Sequence, residues 1–139
     1  MAVMRPLSLR RYFAPSARAE ALVEKFAEVC ATSKAEYAIT HEAAGQRYAP
    51  FLSAVSQVRC RVMGRAEADR ALGALDARVV DRGANLVVIE VMSSGELLFR
   101  ELVDGIWLAS PVQVYLDLMR SEGRAREMAK HLRGERIGF

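Results

Sequence analysis

Two carboxylates and a methionine raise the first chemical question in this sequence. A metal-dependent nuclease of the restriction-enzyme kind needs two carboxylates on neighbouring strand ends to hold Mg²⁺. It also needs a lysine two residues beyond the second, to orient water or offset charge. Asp81 and Glu90 bracket what reads as a hairpin and could supply the carboxylates, but residue 92 is methionine. Glu90 stands on an otherwise apolar strand, so it is expected at an edge or paired with an arginine, because a buried carboxylate needs a partner. The two histidines, His41 and His131, belong to no Cys/His cluster of zinc spacing, and nothing local arms Cys30 or Cys60 as a nucleophile. No serine stands in a G-x-S-x-G elbow, and no glycine-rich loop matches a phosphate cradle. These residues predict a chain with no catalytic group, no metal and no cofactor.

Phosphate contact is the chemistry that remains. Arg120, Arg124, Arg126, Lys130, Arg133 and Arg136 crowd the tail, and the first five are the candidate nucleic-acid or partner-binding residues. Net charge is +3. Residues 1–11 carry Arg5, Arg10 and Arg11 without an acid, residues 120–139 also sum to +3, and the middle sums to −3. Basic ends on a mildly acidic body suit an electrostatic partner. Arg124, Arg126, Lys130 and Arg133 read as spread around the last helix, no convincing recognition helix follows a turn, and the aromatics are not interleaved with the basic run. Nucleic-acid binding is therefore expected to be weak, non-specific and salt-sensitive.

The elements that would position these groups are partly legible. Pro15-Ser16 precedes ARAEALVEKFAEVC, in which Leu22, Phe26, Val29 and Cys30 recur at helical spacing; Ser16 is the expected cap. Tyr37-Ala38-Ile39 is a short extended run, and Thr40 is the expected cap of a second helix, HEAAGQRYA, which must end by Pro50. Val58, Cys60 and Val62 alternate with Arg59 and Arg61, as in a strand. ADRALGAL reads as a brief helix with Ala68, Ala71, Leu72 and Leu75 on one side. Ala77–Val80 and Asn85–Met92 read as two strands joined at Asp81-Arg82-Gly83, the second apolar enough to be central. Ser93-Ser94-Gly95 is a turn, after which Glu96–Arg100 is expected to pair back as a hairpin.

Gly105–Ala109 is a further short strand. Ser110-Pro111-Val112-Gln113 then combines a cap, a proline at the first helical position and a capping-box glutamine. Val112, Tyr115, Leu116 and Met119 form the expected apolar stripe, Gly123 a left-handed stop, and Ala125, Met128, Ala129 and Leu132 the stripe of a last helix. The expected architecture is α/β (α+β): a mixed sheet flanked by about five helices and ending in a helical hairpin.

Composition agrees. At 139 residues, 52% hydrophobic and 27% charged, the chain fits one globular domain spanning 1–139. Its longest apolar runs are strand length, well short of the roughly 20 residues of a membrane span. No apolar core of an export signal precedes the basic pair Arg10-Arg11. With only Cys30 and Cys60 present, a reducing, cytoplasmic compartment is expected, with both thiols acting as buried small hydrophobes.

The run WLASPVQVYLDLMRSEGRAREMAKHLR resembles the closing segment of the AbiEi-type antitoxin and transcriptional-regulator family, which pairs a (V/A)SP-x-Q-x-YLDL helix with a G-R-x-x-E-x-A helix. The matching residues are Ser110, Pro111, Gln113, Tyr115, Leu116, Asp117, Leu118, Gly123, Arg124, Glu127 and Ala129. Upstream, Tyr37-Ala38-Ile39-Thr40, Glu42-Ala43-Ala44 and Tyr48-Ala49-Pro50 are similar to the family's Y-A-L-T-x-x-A-A…A-P stretch. The resemblance covers roughly residues 11–133. It implies the C-terminal domain of a type IV, abortive-infection (phage-defence) antitoxin that counteracts a nucleotidyltransferase-type toxin, touching either the toxin or its target. Members usually carry an N-terminal winged helix that reads their own operator; residues 1–11 leave no room for it, so operator-specific DNA binding is not expected. The resemblance supplies no catalytic residues. The alternative from the residues alone is a degenerate restriction-endonuclease-like domain that still binds nucleic acid.

Overall fold

A strand that is apolar at nearly every position needs cover on both faces and neighbours on both edges, and the sheet is built around one. The computed structural model describes residues 9–52 and 54–138; Arg5 and most of the N-terminal segment read for an export signal lie outside the described residues. In chain order the elements are β1 (Leu9–Phe13), α1 (Ala19–Ser33), β2 (Glu36–Thr40), α2 (His41–Tyr48), β3 (Val58–Met63), α3 (Arg65–Ala74), β4 (Arg78–Val79), β5 (Leu86–Val91), β6 (Glu101–Val103), β7 (Ile106–Leu108), α4 (Pro111–Met119) and α5 (Ala125–Leu132). A 3₁₀ turn covers Ser94–Leu97, and a π turn, Arg133–Ile137, continues α5. The strands form one mixed seven-stranded sheet in the order β4-β1-β5-β3-β2-β7-β6. The apolar β5 lies between β1 and β3, antiparallel to the first and parallel to the second.

Register sorts the side chains into two faces. On β3, Val58, Cys60 and Val62 are buried while Arg59, Arg61 and Met63 are half-buried. Cys60 pairs with Ile39 and Val88, and Val62 with Tyr37; paired residues share a face. Tyr37 meets Phe26 edge-on, ring centroids 5.5 Å apart, so α1 covers this face, with α3 packed beside it. Arg61 and Thr40 point to the other face, which α2, α4 and α5 cover as a cluster of their own. Phe26, Leu22, Ile39, Leu118, Met128 and Leu132 are fully buried, each stabilising the fold by roughly 1.5–3 kcal/mol.

Several sequence expectations are met. The α5 stripe is Ala125, Met128, Ala129 and Leu132, all buried. In α3 the buried residues are Ala68, Ala71 and Leu72, with Leu75 buried just beyond its end. Ser110 Oγ accepts from the Gln113 amide at 3.1 Å with Pro111 opening α4, and Gly123 is left-handed at φ +68°.

Others are corrected. Ser16 does not cap α1: the helix opens at Ala19 with Arg18 at the cap position and no side-chain cap, and the Ser16 hydroxyl donates to the Arg18 carbonyl. Thr40 occupies the cap position of α2 without capping it, because its hydroxyl is drawn to a carboxylate. Gln113 does not bond back to the Ser110 amide; its side chain reaches forward along α4 instead. The two strands expected as a hairpin are not neighbours. β1 lies between them, Tyr12 pairing with Val79 on one side and Leu86 on the other. That strand carries only one buried residue and two arginines, so it shows no apolar alternation; backbone pairing makes it. Asn85, read as the start of a strand, is a clip: its side chain accepts from the Ala14 amide at 2.9 Å and donates to the Ala14 carbonyl at 2.7 Å. Glu96–Arg100 forms no hairpin; the hairpin is β6–β7, one step later. The α4 stripe is also displaced. Val114, Asp117 and Leu118 face inward while Val112 and Leu116 are exposed, because the most buried polar group of the helix is an aspartate that an apolar count skips.

Candidate functional site

That aspartate is the centre of a buried cluster that joins β2, β3, α2 and α4. A carboxylate stripped of water must be neutralised by charge and hydrogen bonds. Asp117 is 4% exposed, and four donors converge on it. Arg61, from β3, grips both oxygens, Nη1 to Oδ2 at 2.7 Å and Nη2 to Oδ1 at 3.0 Å. Gln113 Nε2, one turn back on α4, donates to Oδ1 at 3.0 Å. The Thr40 hydroxyl at the end of β2 donates to Oδ2 and accepts from Arg61 Nη1 at 3.3 Å. Alternation on β3 aims Arg61 at this face, and helical spacing puts Gln113 and Asp117 on one side of α4. The side-chain network therefore ties the helical cluster to β2 and β3. Every acceptor position on the carboxylate is taken, so the group is built to hold structure; it has no spare lone pair for a proton or a metal.

His41 stands beside it. Its Nδ1 is buried, has no hydrogen-bond partner and lies 3.9 Å from Asp117 Oδ2. Its backbone is left-handed, φ +57°, where β2 turns into α2. Burial lowers its pKa to about 4; the Asp117 charge opposes this, and Arg59 and Arg61 add to it. The imidazole is thus neutral near pH 7. Asp117 itself would be raised by burial, but the hydrogen bonds and charge of Arg61, the Thr40 hydrogen bond and His41 outweigh it, and its pKa falls below the ordinary carboxylate value.

The nuclease pair is not assembled. Asp81 follows β4 in an exposed loop and Glu90 is on β5, and β1 lies between those two strands, so the carboxylates stand about two strand spacings apart, roughly 9–10 Å, and not on neighbouring strand ends. Glu90 is partnered as expected, its Oε2 3.8 Å from Arg65 Nη1 on α3. Among the described residues no group of three or more His, Cys, Asp or Glu gathers as a metal site. Cys30 and Cys60 are free thiols, both buried, and burial pushes Cys30 up to about 12 and Cys60 well above its ordinary value.

The basic residues divide. Arg120 is exposed at the C-terminal end of α4. Arg124, at the start of α5, is engaged: Nε lies 3.3 Å from Glu127 Oε2, and the guanidinium sits 5.0 Å over the Phe51 ring. Arg126 and Lys130 are exposed and Arg133 is half-buried. Their spacing, i, i+4 and i+7, places these three along one side of α5, so the expected spread holds only for Arg124. Arg136 leaves the set, bonded to Glu101 at 2.8 Å.

The buried cluster was not anticipated. Its signals were an arginine on the half-buried side of an alternating strand and an aspartate flanked by Val114 and Leu118. Among the described residues no helix is long and apolar enough to cross a membrane. No family model, curated protein or solved structure matches the chain.

Proposed function

We propose that this chain is an antitoxin or regulatory module of a type IV, abortive-infection toxin–antitoxin pair. It counteracts a nucleotidyltransferase-type toxin, or shields that toxin's target, through surface contacts in the cytoplasm and without a catalytic step of its own. The observation that supports this reading is that the two separate stretches carrying the family resemblance meet in space. Thr40, from the first, donates to Asp117, from the second. Tyr48 Oη donates to the Ala109 carbonyl at 2.7 Å. Gly45, between the two upstream segments, lies so close under Leu118 and Met128 that a Cβ there would meet them at 3.2 and 3.0 Å. Thr40, Tyr48 and Asp117, among the residues that carry the resemblance, thus help to fix the α4–α5 hairpin on the sheet. That hairpin presents Arg120, Arg126 and Lys130 outward, with Arg133 half-buried just beyond α5, the surface assigned to the partner or to weak, non-specific phosphate contact.

The test is co-expression with a nucleotidyltransferase-type toxin encoded beside the gene. Growth restored by this chain supports the reading, and toxicity unchanged by well-folded, abundant chain refutes it.

A further inference from the structure

Four large apolar side chains stand exposed on α4 and on the loop that lies against its start. Leu98 and Phe99 are 63% and 83% exposed, and Val112 and Leu116, on the outer side of α4, are 50% and 41% exposed. Phe99 is also left-handed, φ +65°, an outlier for a bulky residue; such backbone persists only where the surrounding structure holds it, and it is enriched at functional sites. The loop that carries it lies against the start of α4, where Glu96, Leu98, Phe99, Ser110 and Gln113 line one hollow. An apolar patch of this kind on a small protein commonly marks an interface.

Its charges say what fits it. Val112, Leu116 and Arg120 follow at i, i+4 and i+8, so the stripe ends in an exposed cation at the C-terminal end of α4. Near its other end, across the hollow that it lines with Ser110 and Gln113, stands Glu96, exposed, with one oxygen accepting from the Met92 amide at 3.0 Å. A patch that is acidic at one end and basic at the other is complementary to itself under a twofold axis, the arrangement that isologous dimers use. With two α4 helices antiparallel, Val112 of each copy meets Leu116 of the other. Arg120 lies about 6 Å further along the axis, past the start of the partner's helix, where the partner's loop carries Glu96. A parallel arrangement would set like charges together.

We propose that the chain forms a twofold dimer through Leu98, Phe99, Val112 and Leu116, closed at each end by Arg120 of one copy against Glu96 of the other. The pairing is independent of which toxin the chain opposes.

Sedimentation velocity on the full chain across a concentration series tests it. Wild type should dimerise reversibly, and Arg120→Glu and Glu96→Arg should each weaken the dimer at least about tenfold. The double variant should restore it, apart from the exposed Met92 bond lost with Glu96. Leu116→Lys, with unchanged circular dichroism, should leave a monomer. A wild-type chain that stays monomeric to about 1 mM overturns the proposal. So does a dimer indifferent to Leu116→Lys, or a double variant no tighter than the single ones. Capture of a toxin by the same patch in a chain that never self-associates would reassign the surface and likewise overturn it.

Discussion

Asp117→Ala should be among the most damaging single changes in this chain. It leaves the Arg61 guanidinium, 12% exposed, without its bidentate partner, and arginine cannot shed its charge. Breaking a buried pair in this way costs about 3–5 kcal/mol, and the Thr40 hydroxyl and Gln113 amide lose an acceptor as well. Against a total stability of roughly 5–15 kcal/mol that is a large fraction. With a urea slope of about 2 kcal/mol per molar, the midpoint falls by about 2 M. Fluorescence of Trp107, the single tryptophan, reports the transition. Arg61→Met should cost less, because the stranded carboxylate can take up a proton. Its penalty therefore begins to shrink well above the ordinary carboxylate pKa, while that of Asp117→Ala shrinks only below 3.8, where the wild-type carboxylate starts to lose its own advantage. Arg61→Met with Asp117→Leu should recover most of the loss, giving a coupling of at least about 2 kcal/mol in a double-mutant cycle. A loss below about 1 kcal/mol for Asp117→Ala, or additive single changes, would refute the assignment of this pair as the tie between helices and sheet.

His41 gives stability a pH slope: its folded pKa, about 4, lies below its ordinary 6.5, so the unfolded chain binds the extra proton between those values. Stability should be full above pH 6.5 and fall by about 3 kcal/mol on the way down to pH 4; His41→Gln should flatten that slope, and an unchanged slope would remove the imidazole from the explanation. Gly45→Ala gains helix propensity of about 1 kcal/mol but drives a methyl against Met128 and Leu118, both fully buried. Overpacking at about 1–3 kcal/mol should win, lowering the melting temperature, and a raised one would show that the Met128 methyl moves aside. Ser110→Ala should cost about 0.5–2 kcal/mol in urea unfolding, and an unchanged midpoint would dismiss the cap.

What could be read in advance follows from what each element depends on. β3, β5, α3 and α5 are held by their own apolar spacing, and their residues show it. β1 has two arginines in five residues and exists because β4 and β5 lend it hydrogen bonds; that pairing is non-local and leaves no mark in the strand itself. Asp117 misled for a related reason. A charged residue counts as a surface residue until its partner is found, and Arg61 is 56 positions away. A longer separation still, 77 positions, explains Thr40, whose caplike position before α2 is real but whose hydroxyl answers to the carboxylate. The α4 stripe then shifted by the amount needed to bring Asp117 inside, which left Val112 and Leu116 on the surface.

The most direct measurement is growth rescue with the chain expressed at graded ratios to a neighbouring nucleotidyltransferase-type toxin, wild type beside Asp117→Ala. A non-catalytic module acting by contact should protect in proportion to its amount, saturating only when it matches the toxin or the toxin's target, and Asp117→Ala should protect in proportion to its folded fraction. No rescue at any ratio, or full rescue by a trace of chain far below the toxin, would contradict the account.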